Sequence, residues 1–154
     1  MELILWRHAE AEDDAPTDQL WLLMPRGKNQ AADVARWLRE QLGPSLETWR
    51  IVSSPALRAR ETAMALGRET DIIDSIAPDA SPAAVLAAAG WPDSDHNVIL
   101  TGHQPTLGMA IARLLHGDAG AVSVKKGALW WFEVRERDGR RESCLKAMVT
   151  PDTL

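Results

Sequence analysis

Two arginines and two histidines in this sequence are placed where they could act on a phosphoryl group. Arg7 and His8 directly follow a short apolar run, His103 follows another, and Arg58 comes soon after a third. Arginine binds phosphate well because its planar guanidinium donates two parallel charged hydrogen bonds. A neutral imidazole is a good nucleophile near pH 7. These residue types therefore favour phosphoryl transfer, which needs an in-line nucleophile and positive groups around three equatorial oxygens.

Of the two histidines, His8 is the stronger candidate for the nucleophile. The positive charge of the neighbouring Arg7 opposes protonation of the His8 ring and so keeps the attacking lone pair free. His103 would then donate a hydrogen bond to the phosphoryl group. Arg7 and Arg58 would bind the oxygens of the same group.

Short apolar runs predict the strands that position these residues. A continuous apolar run bounded by polar residues is typical of a strand buried on both faces, as in parallel sheets. We predict strands at residues 3–6, 50–53, 97–101, 129–134 and 144–149, the last two forming a hairpin across Asp138 and Gly139. The four candidate residues follow the first three strands. In open α/β sheets the carboxyl ends of the strands are where ligands bind.

Helical patterns alternate with these runs. Apolar residues spaced three and four apart predict helices over residues 30–42 and from 104 or 105 to 117. Ser54 as N-cap and Pro55 as the first helical residue predict a third helix, over residues 55–67. Near its start Arg58 would lean back toward the N-terminus and so reach the strand edge. A short fourth helix is expected after Pro82.

The alternation of strands and helices predicts a single α/β domain spanning residues 1–154. Its central sheet should be mainly parallel, with helices on both faces. The length of 154 residues is close to a prior of about 150 residues per domain. With 45% hydrophobic and 25% charged residues, the composition is that of an ordinary globular protein.

The charge and the N-terminal residues argue against several classes of protein. A net charge of −5 without a long basic run lacks the electrostatic footprint of a nucleic-acid-binding protein. The first apolar run is too short for a signal peptide or a membrane span. We therefore expect a cytoplasmic protein that binds neither nucleic acid nor membrane. Its lone Cys144 precludes an internal disulfide.

Four motifs, taken in order, resemble the histidine phosphatase superfamily and within it the small SixA-type phosphohistidine phosphatases. They cover residues 1 to about 117 and are Arg7-His8-Ala9-Glu10-Ala11, Leu23-Met24-Pro25-Arg26-Gly27, Ser53-Ser54-Pro55-Ala56-Leu57-Arg58-Ala59-Arg60-Glu61-Thr62-Ala63 and Gly102-His103. An Arg-His pair alone carries no information, but the conjunction of four motifs is specific.

The resemblance implies a phosphoglycerate-mutase-like fold and a role for each candidate residue. His8 would be the nucleophile that becomes phosphorylated and is then hydrolysed, and Arg7, Arg58 and His103 would form the phosphate pocket. No metal or organic cofactor is implied, which agrees with the absence of His-x-x-x-His and Cys-x-x-Cys spacings. The implied substrate is phosphohistidine on a partner protein.

The sequence departs from the family pattern at two places. Ala9 stands where glycine is usual, which is tolerable if its backbone angles are ordinary. Ser75 lies where larger members of the family carry an acidic proton donor, so that Asp74 and Asp79 remain as candidates for a general acid. A weak or missing acid handicaps hydrolysis of alkyl phosphate esters, whose alkoxide must be protonated, and so favours a phosphoramidate substrate. Only 44 residues separate Arg58 from His103, so we expect a shallow pocket without a large cap.

Two rival functions stay open on the sequence. One is hydrolysis of a small phosphate ester with a carboxylate such as Asp79 as acid; the other is a phosphate-binding or phosphoprotein-binding module without turnover. Residues 10–18 form an acidic predicted loop, which would disfavour acidic substrates if it overhangs the pocket. Trp130 and Trp131 should point to opposite faces of a strand, so one of them is a candidate for a partner-binding patch. The oligomeric state is left undetermined.

Overall fold

A computed structural model of the chain describes residues 1–117 and 120–154. Six strands form one sheet in the order β3-β2-β4-β1-β5-β6. The strands are β1 Glu2–Arg7, β2 Arg50–Ser53, β3 Asp71–Ile72, β4 Val98–Gly102, β5 Leu129–Arg137 and β6 Arg140–Val149. The first four pair in parallel, whereas β5 pairs antiparallel with both β1 and β6.

The two central strands are buried on both faces because helices cover both sides of the sheet. The four apolar residues of β1 have no exposed surface, and every residue of β4 is buried. The register pairs Arg7 with Gly102 and Ser53 with Thr101. The carboxyl ends of β1, β2 and β4 therefore lie side by side at one edge of the sheet.

Four α-helices form the two outer layers: α1 Pro25–Leu42, α2 Leu57–Met64, α3 Pro82–Ala89 and α4 Thr106–His116. Apolar residues of α1 and α2 pack in one core cluster with Ile4 and Trp6 of β1. Those of α3 and α4 pack in a second cluster with Leu3 and Leu5. The alternation of these residues along β1 places the two clusters on opposite faces, so the predicted fold class is confirmed.

The predicted helices are all present, with shifted ends. α1 begins at Pro25, five residues earlier than predicted, because Pro25 is favourable at a first helical position. α2 begins at Leu57, so the prediction of Ser54 as N-cap and Pro55 as first residue is wrong. The Ser54 N–H instead extends the strand pairing by donating to the Thr101 carbonyl at 3.1 Å, which delays the turn into the helix.

One strand differs from the sequence expectations, and one turn agrees with them. β3 lies where no strand is predicted, because a two-residue strand carries no detectable alternation. The β5–β6 hairpin turns at Asp138 and Gly139 as predicted, and both residues have positive φ, as a tight two-residue turn requires.

Trp130 and Trp131 do not form an exposed pair. Trp131 is buried against Trp49, at a ring-centroid distance of 5.9 Å, and half-buried Trp130 stacks on Phe132. The idea that one of them forms an exposed partner-binding patch is therefore wrong.

Within the described ranges, no helix is both long and apolar enough to span a membrane.

Candidate phosphoryl-transfer site

The adjacent strand ends bring both predicted histidines and Arg58 together. The ring centroids of His8 and His103 lie 5.3 Å apart, and Arg58 Nε lies 3.3 Å from His8 Nε2. All three side chains are nearly fully buried. Although α2 starts later than predicted, Arg58 is still in its first turn, so its guanidinium reaches the strand edge.

Hydrogen bonding fixes the tautomer of His8. Its Nδ1 lies 2.7 Å from the carbonyl oxygen of Ala9, which can only accept, so Nδ1 carries the proton. Nε2 is then the unprotonated ring atom. Its lone pair accepts a hydrogen bond from Arg58 Nε–H at 3.3 Å, so Nε2 can attack an electrophile only after that hydrogen bond is released.

The surroundings keep His8 neutral at physiological pH. Burial, the largest cause, and the positive charges of Arg58, Arg7 and Lys126 lower the pKa of His8 to about 4, against the opposing effect of the Ala9 hydrogen bond. A neutral imidazole is the form that can attack an electrophile.

Ser54 holds the His103 ring through a hydrogen bond. Its Nε2 lies 2.7 Å from the Ser54 hydroxyl, which also accepts a hydrogen bond from the Ala56 N–H at 3.2 Å. Burial first, and then the neighbouring His8, Arg58 and Arg7, lower the pKa of His103 to about 3. Its Nδ1 is buried and has no partner among the described residues. A ligand oxygen beside His103 would satisfy that atom.

Arg7 is oriented by the loop that precedes β5. Its Nη1 donates to the Val124 carbonyl at 2.6 Å, whereas its buried Nε has no partner among the described residues. Burial, and next the charge of Arg58, lower the pKa of Arg7. A guanidinium nevertheless stays charged in proteins, so Arg7 brings a positive charge beside His8.

Arg58 is also held by the loop that follows β1. It donates to the main-chain carbonyl of Asp18, lies 3.8 Å from the Asp18 carboxylate, and sits 5.2 Å from the ring centroid of Trp21. Burial lowers the pKa of Arg58, and the Asp18 charge opposes that effect. The acidic loop thus lies directly against Arg58.

These groups surround a cavity of about 320 Å³. Its lining comprises Arg7, His8, Ala11, Asp13, Trp21, Arg58, Gln104 and Lys126. His103 is not part of the lining and lies beside the His8 ring. Neither Asp74 nor Asp79 lines the cavity, so the structure does not favour either as a general acid. Asp13 is the one carboxylate in the lining among the described residues.

Ala9, the departure from the usual glycine, fits its place. It is fully buried, has no positive φ, and donates its N–H to Thr62 Oγ1 at 3.0 Å. Thr62 in turn donates to the Arg58 carbonyl at 2.7 Å. Thr62 therefore connects the loop that follows His8 to the helix that carries Arg58. In the part of the chain that the structure describes, no cluster of three or more His, Cys, Asp or Glu side chains could hold a metal ion.

Sequence reasoning missed several residues of this site. Ser54 and Thr62 lie inside a recognised motif, but only the fold shows that they contact His103 and Ala9. Trp21 carried no local signal at all. Lys126 stood out in the sequence only as half of a lysine pair before a strand.

Comparison with known proteins agrees with this geometry. A family model described as the histidine phosphatase superfamily, branch 1, matches residues 3–80. An uncharacterized protein of Picosynechococcus is 34% identical over 139 residues, which is 84% of this chain and 82% of that protein. Phosphohistidine phosphatase SixA of Escherichia coli K12 is 25% identical over 126 residues, covering 77% of this chain and 76% of SixA. A solved structure of the protein histidine phosphatase SixA with tungstate superposes with a TM-score of 0.79 at 22% identity, covering 99% of both chains.

Proposed function

We propose that this chain, which belongs to the histidine phosphatase superfamily, is a phosphatase that works through a phosphorylated His8 and removes phosphoryl groups from histidine side chains of a partner protein. One observation carries the proposal: a neutral, buried imidazole with an unprotonated Nε2 lines a cavity together with positively charged side chains. The similarity to SixA of Escherichia coli, named a phosphohistidine phosphatase, supports the choice of substrate class.

The reaction takes two displacements at phosphorus. In the first, His8 Nε2 attacks, a nitrogen–phosphorus bond forms on His8, and the nitrogen–phosphorus bond of the substrate breaks. The electron pair of that bond leaves with the substrate imidazole, which has taken a proton from solvent. In the second displacement, water attacks phosphorus, the bond to His8 breaks, its electron pair returns to Nε2, and phosphate leaves while the proton of water passes to solvent.

The surrounding residues stabilise the charge that spreads over the three equatorial oxygens. Arg7 and Arg58 supply fixed positive charges beside Nε2. If the Ser54 hydroxyl donates to His103 Nε2, then His103 Nδ1 carries a proton for a phosphoryl oxygen. This tautomer gives the buried Nδ1 a partner during the reaction.

The shape and charge of the site suit a side chain presented by another protein. The cavity of about 320 Å³ is at the lower end of the range for small-molecule sites, about 300–1,000 Å³. A phosphohistidine imidazole can be protonated by solvent before it leaves, so it needs no general acid. The carboxylate of Asp13 in the cavity lining and that of Asp18 beside Arg58 disfavour strongly acidic substrates.

Trapping of the phosphoenzyme tests the proposal. We expect wild-type protein to release phosphate from free phosphohistidine and from a chemically phosphorylated histidine peptide, and to carry an acid-labile label on His8 after rapid quenching. His8→Asn should remove both signals. The matched control His96→Asn changes an exposed histidine on the loop before β4 and should leave both intact. Phosphate release by His8→Asn at the wild-type rate would contradict the assignment, and anion binding without any release would favour the binding module.

A small phosphate ester is the second candidate substrate, and the position of Asp13 favours it. A carboxylate in the cavity lining can protonate a departing alkoxide when it carries a proton. We therefore compare phosphohistidine with a panel of sugar and nucleotide phosphates at equal concentration. A strong preference for one metabolite, abolished in Asp13→Asn, would replace phosphohistidine as the substrate.

A further inference from the structure

We propose that Lys126 is a further phosphate-binding residue of this site, which supplies a third positive charge to the transferred phosphoryl group. The inference rests on the proposed function for the identity of that group. Neither the four motifs nor the strand-end argument points to Lys126, which lies 23 residues beyond His103. Only the fold brings it into the same cavity as Arg7, His8 and Arg58.

Lys126 occupies the tip of a tight turn. The Ala128 N–H donates to the Lys125 carbonyl at 3.0 Å, which closes a four-residue turn with Lys126 and Gly127 at its two central positions. Gly127 has a φ of +78°, and a Cβ there would lie 2.8 Å from Cγ of Pro151. Both facts require glycine at this position, so the turn has a single defined shape.

Four hydrogen bonds attach this turn and the preceding residue, Val124, to the segment that carries His8. Two are main-chain bonds, from the Gly127 N–H to the His8 carbonyl at 3.0 Å and from the Arg7 N–H to the Ala128 carbonyl at 2.9 Å. In the other two, the Arg7 guanidinium donates to the Val124 carbonyl at 2.6 Å and the Trp6 indole to the Gly127 carbonyl at 2.9 Å. The backbone of Lys126 is therefore fixed relative to His8.

The two lysines of the turn differ in their charge partners. Lys125 Nζ lies 3.4 Å from the Asp152 carboxylate, outside the cavity. Lys126 forms no ion pair with any described residue and lines the cavity instead. Its charge also acts on His8, because it contributes to lowering the pKa of that ring.

Both arginines already have hydrogen-bond partners in the protein, so a further cation has a role at this site. Arg58 already donates to the Asp18 carbonyl and faces the Asp18 carboxylate, and Arg7 already donates to Val124. The Lys126 ammonium, on a flexible four-carbon side chain, can move with the phosphoryl group as it passes from the leaving group to His8. Such mobility suits a charge that stabilises the transferred group on both sides of the displacement.

Affinity for tungstate tests the inference without requiring turnover. Lys126→Met keeps the length of the side chain and removes the charge, and Lys125→Met makes the same change on the neighbouring residue. By calorimetry, we expect Lys126→Met to bind tungstate about tenfold more weakly than wild type, the loss expected for one hydrogen bond to a charged group. Lys125→Met should stay within about twofold, and Lys126→Arg should restore most of the affinity.

A second readout separates charge from a structural effect. Removal of a positive charge should raise the pKa of His8, which a nuclear magnetic resonance titration detects as an upward shift of its midpoint in Lys126→Met and not in Lys125→Met. Equal tungstate affinity in wild type and Lys126→Met would overturn the inference while leaving the phosphatase proposal standing. Weaker binding by Lys126→Met in a protein that hydrolyses no phosphohistidine would support the inference and contradict the proposed function.

Discussion

Acidification from pH 7 to pH 5 should reveal how strongly the fold holds His8 in its neutral form. The folded protein lowers the pKa of His8 to about 4, whereas the unfolded chain has the ordinary value of about 6.5. Between these values the unfolded chain binds more protons than the folded one. The free energy of unfolding therefore rises with pH across this window, and the stability is lost as the pH falls.

The size of the effect follows from the two pKa values. Integration of the proton linkage over the interval from pH 7 to pH 5 gives a loss of about 2 kcal/mol from His8 alone. His8→Gln cannot titrate, so its free energy of unfolding should fall by about 2 kcal/mol less than that of wild type over the same interval. Because His8 also helps to lower the pKa of His103, the same His8→Gln comparison on a His103→Gln background separates the contribution of His8 from that of His103.

Urea unfolding at the two pH values measures this difference, and long-range proton–nitrogen spectra measure the His8 ring directly. At about pH 5.5 a pKa of about 4 leaves roughly 97% of the His8 rings neutral, whereas an ordinary pKa of about 6.5 would leave roughly 9% of them neutral. The spectra should also show the proton on Nδ1, as the Ala9 hydrogen bond requires. A midpoint near 6.5, or equal losses of stability in the two proteins, would refute this electrostatic account of His8.

Two other predictions concern the packing that supports the site. Thr62→Val leaves the buried Ala9 N–H without its acceptor and should destabilise the protein by about 1–3 kcal/mol in urea unfolding. The control Thr48→Val removes an exposed hydrogen bond and should lower the free energy of unfolding by less than about 0.5 kcal/mol. Similar values for both variants would contradict the role of Thr62. Gly27→Ala places a Cβ 2.0 Å from the Glu10 carbonyl oxygen and should lower the free energy of unfolding by about 1–3 kcal/mol. The control Ala32→Ser, at an exposed position of the same helix, should change it by less than about 0.5 kcal/mol. Full stability of Gly27→Ala would show that the contact between α1 and residue 10 is not tight.

The elements that carry the site were predictable because their signals are local. The continuous apolar runs that became β1 and β4 need burial on both faces, and only a sheet covered on both sides provides it. Once those strands are parallel neighbours, the residues that follow them must meet at one edge. The sequence therefore predicts that Arg7, His8 and His103 lie close together.

The ends of the helices were less predictable because several local solutions compete there. Ser54-Pro55 satisfies the rules for a helix start, yet the Ser54 N–H pairs with Thr101 across the sheet and its hydroxyl contacts His103. Neither interaction can be read from neighbouring residues. The short strand β3 is unpredictable for the same reason, because its two residues gain their strand structure only from pairing with β2.

The amino-acid sequence by itself determined the layered α/β fold, the edge where the chemistry lies and the residue types that can bind and attack a phosphoryl group. Periodicity and burial are properties of consecutive residues, so they are present in the sequence. The tertiary structure alone decided which atom of His8 is free, how far its pKa is lowered, and that Lys126, Asp13 and Trp21 share its cavity. Those properties depend on distances between segments far apart in the chain and on the exclusion of water, and both arise only when the chain has folded.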